Sequence, residues 1–255
     1  MVIGWLQQEQ EDIAEVGASA WARVEAAQRQ QRPTCLLVPQ PAHAVLAGEL
    51  AAGLTCFGDL PPEIIRAIQM HDTGWAASDA QQIQRLRAGG AQAGQVVSFV
   101  SIPPGEVEEA WTASISAVEA FSKPGATIIS RHFSFLAGHD PVHQRFVQAE
   151  KARGQRLEGS GKAEDLARWT AALGFCDLVS LFLLSGLSRE VELPLAHPAS
   201  PQAHTAPRVR MQVRGRQLRF TPGVVPAGCV LSIQALKHPV PKQGPRAETL
   251  TWEVE

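Results

Sequence analysis

Apolar residues recur every three or four positions through most of the first 188 residues, and every second position after about residue 208. The first spacing is that of a helix with one buried face, the second that of a half-buried strand. Ile13, Val16, Trp21 and Val24 predict a helix that ends before Pro33, and Cys35–Val38 reads as a short extended run closed by Pro39 and Pro41. His43, Leu46, Ala47, Leu50 and Leu54 share one face of the next helix. Pro61 and Pro62 open another, whose inward set is Ile64, Ile65, Ile68, His71 and Asp72, with Gly74 placed to end it. Residues 76–105 are polar and punctuated by Gly and Pro, which predicts a long loop with a short helix. Amphipathic helices follow over 107–121 and 128–136, and Asp140-Pro141 reads as a cap with proline in the first turn. The last long helix, over 163–187, carries Leu166, Trp169, Leu173, Asp177, Leu181 and Leu184 on its inner face.

The composition then changes. The stretch HPASPQAHTAP is a linker by its Pro, Ser and Ala content. Beyond it Val209, Met211 and Val213 alternate with Arg208, Arg210, Gln212 and Arg214, and Gly215 stands where a turn would lead into Leu218 and Phe220. Leu231, Ile233 and Ala235, then Leu250, Trp252 and Val254, keep the period of two. The expectation is a mostly α bundle over residues 1–190, a linker over 191–207, and a small antiparallel β appendage of three or four strands over 208–255.

Bulk properties narrow the function classes. The chain of 255 residues is 45% hydrophobic, enough for one sizeable core, and its net charge of −2 gives no general pull toward nucleic acid or anionic lipid. Residues 1–189 hold 15 basic against 20 acidic residues (net −5), and 190–255 hold 8 against 5 (net +3). The tail arginines Arg208, Arg210, Arg214, Arg216 and Arg219 occupy outward positions of a one-sided sheet and have almost no interleaved aromatic residues, so nucleic-acid binding is not expected. Four scattered cysteines without a C-x-x-C pair read as reduced thiols. No basic, apolar leader opens the chain, and the longest greasy stretch is short and interrupted by Asp177. A cytoplasmic protein that avoids the membrane is expected. Tyrosine is absent, which removes one class of acid or nucleophile.

Four ionisable residues break the apolar faces. His43 precedes Leu46 and Leu50 by three and seven, His71 and Asp72 follow Ile68 by three and four, and Asp177 stands four from both Leu173 and Leu181. An unpaired buried ion costs several kcal/mol, so four on inward faces ask for a shared partner. Two imidazoles and two carboxylates suit a divalent transition ion, Mn, Fe, Co, Ni or Zn, and would leave positions open for water or substrate. His132 lies on the face of Ile128, Ile129 and Leu136 and reads either as a buried imidazole bonded to a carbonyl or as a further ligand or phosphate donor. Asp79 reads as a proton acceptor, a holder of a ligand imidazole, or a helix cap. Arg131 reads as a phosphate clamp or a solvated residue, and Trp75 as packing over the metal.

The order His43, then His71-Asp72, then Asp177 resembles the His…His-Asp…Asp signature of the HD-domain superfamily of metal-dependent hydrolases. More narrowly, HDTGW with Asp79 close behind, QPAHAVLAGELA upstream and GFCDLVSL downstream look like an uncharacterised bacterial family within it. The resemblance covers roughly residues 34–187 and implies an HD-like bundle with His43, His71, Asp72 and Asp177 as metal ligands. It also implies a small phosphorylated substrate bound to the metal and attacked by metal-activated water, with Asp72 or Asp79 handling the proton. His132 could hold a second ion, as in HD-type centres with two metals. A di-iron oxygenase on the same scaffold and a non-catalytic module braced by a metal are the alternatives.

Overall fold

The computed structural model describes residues 2–5, 35–88, 96–138, 140–157, 159–185, 190–197, 205–238 and 245–255. The helix expected over 13–24 and residues 198–204 of the expected linker lie outside them. In chain order the elements are β1 (Val2–Trp5), β2 (Cys35–Val38), α1 (Gln40–Gly53), α2 (Pro62–Gln69), α3 (Ala76–Ala88), α4 (Pro104–Glu119), α5 (Lys123–Ala137), α6 (Gln144–Arg156) and α7 (Ala163–Ser185). Then come β3 (Glu190–Pro194), β4 (Arg208–Arg214), β5 (Gln217–Thr221), β6 (Val230–His238) and β7 (Arg246–Val254).

The expected helical bundle with a small β appendage is corrected to a mixed α/β fold. All seven described strands join one curled sheet in the order β1-β2-β6-β7-β5-β4-β3. The alternation read in the tail is present, with Val209, Met211, Val213, Leu218, Phe220, Leu231, Ile233 and Ala235 turned inward. Arg208, Arg210, Arg214, Arg216 and Arg219 are exposed. What the tail alone does not reveal is that β2 pairs with β6 and β1 with β2, so the sheet draws on both ends of the chain. Nor is every pair antiparallel, since β5 runs parallel to β7. Gly215 takes φ +62°, the left-handed turn position that glycine adopts without strain.

Helices and sheet share one apolar core. Leu36 and Val38 of β2, Leu46 and Leu50 of α1, Ile64 and Ile68 of α2, Ile128 and Ile129 of α5, Leu173 of α7 and Met211 of β4 belong to one buried cluster. Phe175 of α7 joins the layers, its ring 5.9 Å from Phe57 and 6.5 Å from Phe220. Helix α7 is long and apolar enough by composition to cross a membrane, but 72% of its most apolar window is buried in the fold, which makes it the core helix.

Two departures from the predicted elements concern the site. In the stretch expected to be a long loop with a short helix, residues 76–88 form a helix of 13 residues. Its buried residues are Asp79, Gln82 and Leu86, an inward stripe too polar to register as apolar periodicity. Gly74 does not cap α2, which already ends at Gln69, but sits in a 3-10 turn over Thr73–Trp75 pressed against α4. A Cβ there would lie 2.0 Å from the carbonyl oxygen of Ala110, so only glycine permits the approach.

Candidate metal centre

Helix α1 enters behind the extended Pro39 with Pro41 in its first turn, and no side chain of its own caps it. The cap comes from α3: the Gln40 N–H donates to Asp79 Oδ2 at 2.6 Å, inside the protein. A carboxylate there satisfies an orphan donor and faces the positive end of the helix. Of the roles considered for Asp79, the helix cap is the one its geometry displays, on α1. One turn into α1, His43 is 1% exposed.

Helix α2 delivers Ile64 and Ile68 to the core, and the chain then turns so that His71 and Asp72 follow into the interior. The His71 ring is fixed by its own helix end, Nδ1 lying 2.8 Å from the Ile68 carbonyl oxygen. A carbonyl only accepts, so Nδ1 carries a hydrogen, and in the neutral ring Nε2 presents the lone pair. That Nε2 is buried without a hydrogen-bond partner, 3.5 Å from Asp72 Oδ2 and 3.5 Å from Asp177 Oδ1.

Asp177, on α7, is the hub. Its Oδ1 lies 3.0 Å from His43 Nε2 and its Oδ2 lies 3.3 Å from His132 Nε2 on α5. Ser180, one turn on, donates its hydroxyl to the Asp177 carbonyl at 2.8 Å, so its oxygen is left to accept from His43 Nε2–H at 3.0 Å. The proton on Nε2 leaves a lone pair on His43 Nδ1, which is buried without a hydrogen-bond partner 3.7 Å from Asp72 Oδ2. The structure thus brings His43, His71, Asp72, His132 and Asp177 together, each less than a tenth exposed.

Burial and the neighbouring charges set the ionisation of the cluster. Burial pushes the Asp72 carboxyl up to about 6 despite the imidazoles beside it. Burial works the same way on Asp177, but His132 and His71 outweigh it and hold that carboxyl well below the usual range. Burial alone would keep His71 neutral, yet Asp72 and Asp177 draw it up to about 9. His43, with desolvation dominant, falls to about 3. The carboxylates therefore call for a cation next to Nε2 of His71, a proton or a metal ion.

A divalent ion fits the donor set. Metal–ligand bonds of about 2.0–2.2 Å separate neighbouring donors by roughly 3.0–3.6 Å, close to the 3.5 Å from His71 Nε2 to Asp72 Oδ2 and to Asp177 Oδ1 and the 3.7 Å from His43 Nδ1 to Asp72 Oδ2. Donor atoms of His43, His71 and Asp177 all lie within 4.8 Å of one another. The lone pair of His43 Nδ1, the Nε2 of His71 and two carboxylates converge on one point, where a cation is favoured. All the donors are nitrogen and oxygen, the set preferred by Mn, Fe, Co, Ni or Zn.

The remaining candidates fall elsewhere. Arg131 is exposed on α5, on a different side of the helix from the buried His132. Trp75 is buried, as a packing residue would be. Asp140 accepts from the Val142 N–H at 2.9 Å as a local cap, and His143 pairs with Glu108 at 2.8 Å; His139 lies outside the described residues. Two neighbours of the centre were not anticipated. Ser180 carried a signal, a small polar residue one turn from Asp177 on the same buried helix. His197 carried none, since it stands in the Pro/Ala-rich stretch read as linker. It is nonetheless 6% exposed, with Nε2 3.3 Å from His132 Nδ1. Burial first, and then the neighbouring His132, lower it to about 3.

Residues 27–223, which contain every residue of this centre, match the family model described as a protein of unknown function (DUF3891). No curated protein and no solved structure matches the chain.

Proposed function

The chain belongs to that family, DUF3891, and from its buried donor cluster we propose that it is a metal-dependent hydrolase of phosphate esters, acting in the cytoplasm on a nucleotide or a small phosphorylated metabolite. The observation that carries the reading is the pair of orphaned lone pairs, His43 Nδ1 and His71 Nε2, beside the carboxylates of Asp72 and Asp177. The resemblance of the motif His43…His71-Asp72…Asp177 to the HD-domain signature supports the same reading. A bound divalent ion would polarise the P–O bond and lower the pKa of a coordinated water toward neutrality.

The protein side of the chemistry is orientation. The Ile68 carbonyl fixes the His71 tautomer, and Ser180 with Asp177 fixes that of His43, so both rings offer a lone pair without rearrangement. Asp79 holds the first turn of α1 and, through it, the backbone of His43. Asp72 is the carboxylate left to exchange a proton with the nucleophile, since Asp79 is committed to the helix end.

Elemental analysis of untagged protein purified without added metal tests the first half. About one divalent ion per chain is expected. A screen of phosphomonoesters and phosphodiesters on wild type and Asp177→Ala tests the second, with turnover expected in the wild type alone. Wild type that binds no divalent ion at micromolar concentration, or turnover that survives Asp177→Ala, defeats the proposal. Two irons per chain with an oxygen-sensitive absorption band would transfer the centre to oxidative chemistry.

A further inference from the structure

His197 arrives from outside the helical layer. It follows β3, an edge strand of the sheet, yet its ring is buried among residues of α5 and α7. It stands edge-on between two rings of one face of α5, 5.5 Å from His132 and 5.1 Å from Phe135. The space for it is made by Gly174 of α7. A Cβ at that position would lie 2.9 Å from His197 Cδ2 and 3.9 Å from His132 Nδ1. A glycine inside a long helix costs about 0.5–1 kcal/mol relative to alanine, and here it opens a slot for one imidazole.

The contact made in that slot is specific. His197 Nε2 meets His132 Nδ1 at 3.3 Å, while His132 Nε2 meets Asp177 Oδ2 at 3.3 Å on the other side of its ring. An imidazole serves a metal from one nitrogen only when its other nitrogen carries the hydrogen, and a partner that accepts that hydrogen fixes ring and tautomer together. His71 has such a partner in the Ile68 carbonyl. His132, in mid-helix, has His197 beside its Nδ1.

We propose that His197 is a positioning residue of the metal centre: its Nε2 accepts the Nδ1–H of His132 and so leaves the lone pair on Nε2 of His132 for the metal beside Asp177. Position 197, three residues beyond β3, is thereby part of the site. The inference rests on the metal-centre reading above.

The test uses the full chain stripped of metal and titrated with Co²⁺, on wild type and on His197→Gln, His197→Asn and His197→Leu. The Gln oxygen reaches about as far as Nε2, the Asn oxygen stops short, and Leu fills the slot without an acceptor. Wild type and His197→Gln are expected to bind within about threefold of each other, with Asn and Leu weaker by about tenfold or more. Gly174→Ala, which leaves both imidazoles chemically intact but displaces His197, is expected to weaken binding likewise. Equal affinity for Gln and Leu overturns the proposal. The independent readout is nitrogen NMR of ¹⁵N-histidine-labelled wild type. A coupling between His132 Nδ1 and His197 Nε2, with the proton on His132 in the Co²⁺- or Zn²⁺-loaded state, is expected. Its absence overturns the imidazole pair whatever the metal does. A coupling present in a wild type that binds no Co²⁺ instead sinks the metal-centre reading and, with it, the role proposed here.

Discussion

Replacing Gly74 with alanine tests how the His71-Asp72 turn is held. The added carbon would lie 2.0 Å from the carbonyl oxygen of Ala110 and 2.9 Å from the backbone nitrogen of Ser114. Unstrained contact begins near 3.4 Å, so the 3-10 turn and α4 must separate by about 1.4 Å (3.4 − 2.0). Both obstructing groups are helix backbone, which cannot swing aside as a side chain can. Overpacking of this kind costs about 1–3 kcal/mol. The same movement stretches the Gly74 N–H bond to Ser114 Oγ, now 2.9 Å, and a half-buried donor left unpaired adds about 1–2 kcal/mol. A total loss of about 2–5 kcal/mol is expected in urea unfolding of the metal-free protein. Ser114→Ala should lose only the hydrogen-bond share, about 1–2 kcal/mol. Since His71 and Asp72 immediately precede the turn, Gly74→Ala should also weaken divalent-ion binding by at least tenfold, read by calorimetry. A variant within 0.5 kcal/mol of wild type in stability, with unchanged affinity, would refute the idea that close backbone packing sets the position of these two ligands.

Three further outcomes follow from other contacts. Divalent ion at a hundredfold excess over its Kd should stabilise the folded chain by about 2.7 kcal/mol, a rise in Tm of about 5–11 °C, and a chelator should reverse it; scanning calorimetry on loaded and stripped protein checks this. Ser180→Ala removes the oxygen that accepts from His43 Nε2 within the core and should cost about 1–2 kcal/mol in chemical unfolding while leaving the other ligands in place. Arg156 and Arg153 hold the Glu119 carboxyl below its usual value of 4.5, so the triad's stability is present above that value and is lost as pH falls through the lower folded value. Glu119→Gln should therefore lower Tm at pH 7 by an amount worth under about 1 kcal/mol and narrow the gap to wild type in strong acid, as thermal melts across pH would show.

The residues of the proposed metal centre are legible in sequence because they violate a pattern. Each of His43, His71, Asp72, His132 and Asp177 stands where helical spacing demands an apolar side chain, and the cost of burying it makes the position conspicuous. His197 violates nothing. It follows a short strand and precedes a proline-rich stretch, so its burial is decided entirely by tertiary packing against Gly174. The full length of α3 is hidden for a related reason, since Asp79 and Gln82 make its inner face polar. The sheet is half legible. Period two marks β4 to β7, and Val191 and Leu193 offered the same signal in β3 within five residues at an element boundary. Which strands pair is not a local property: nothing in Cys35–Val38 itself points to Leu236, Lys237 and His238 as partners.

That pairing has a consequence for biosynthesis. Cys35 is aligned with His238, so 203 residues (238 − 35) must be added before the centre of the sheet can close. At ribosomal speeds of about 5–20 residues per second, β2 waits roughly 10–40 s for its neighbour. Leu36 and Leu37, interior residues in the finished protein, have no strand on the β6 side throughout that interval. The nascent chain therefore offers an apolar strand edge to the cell for far longer than a hairpin would, and it is a natural client for a chaperone that binds extended, greasy segments.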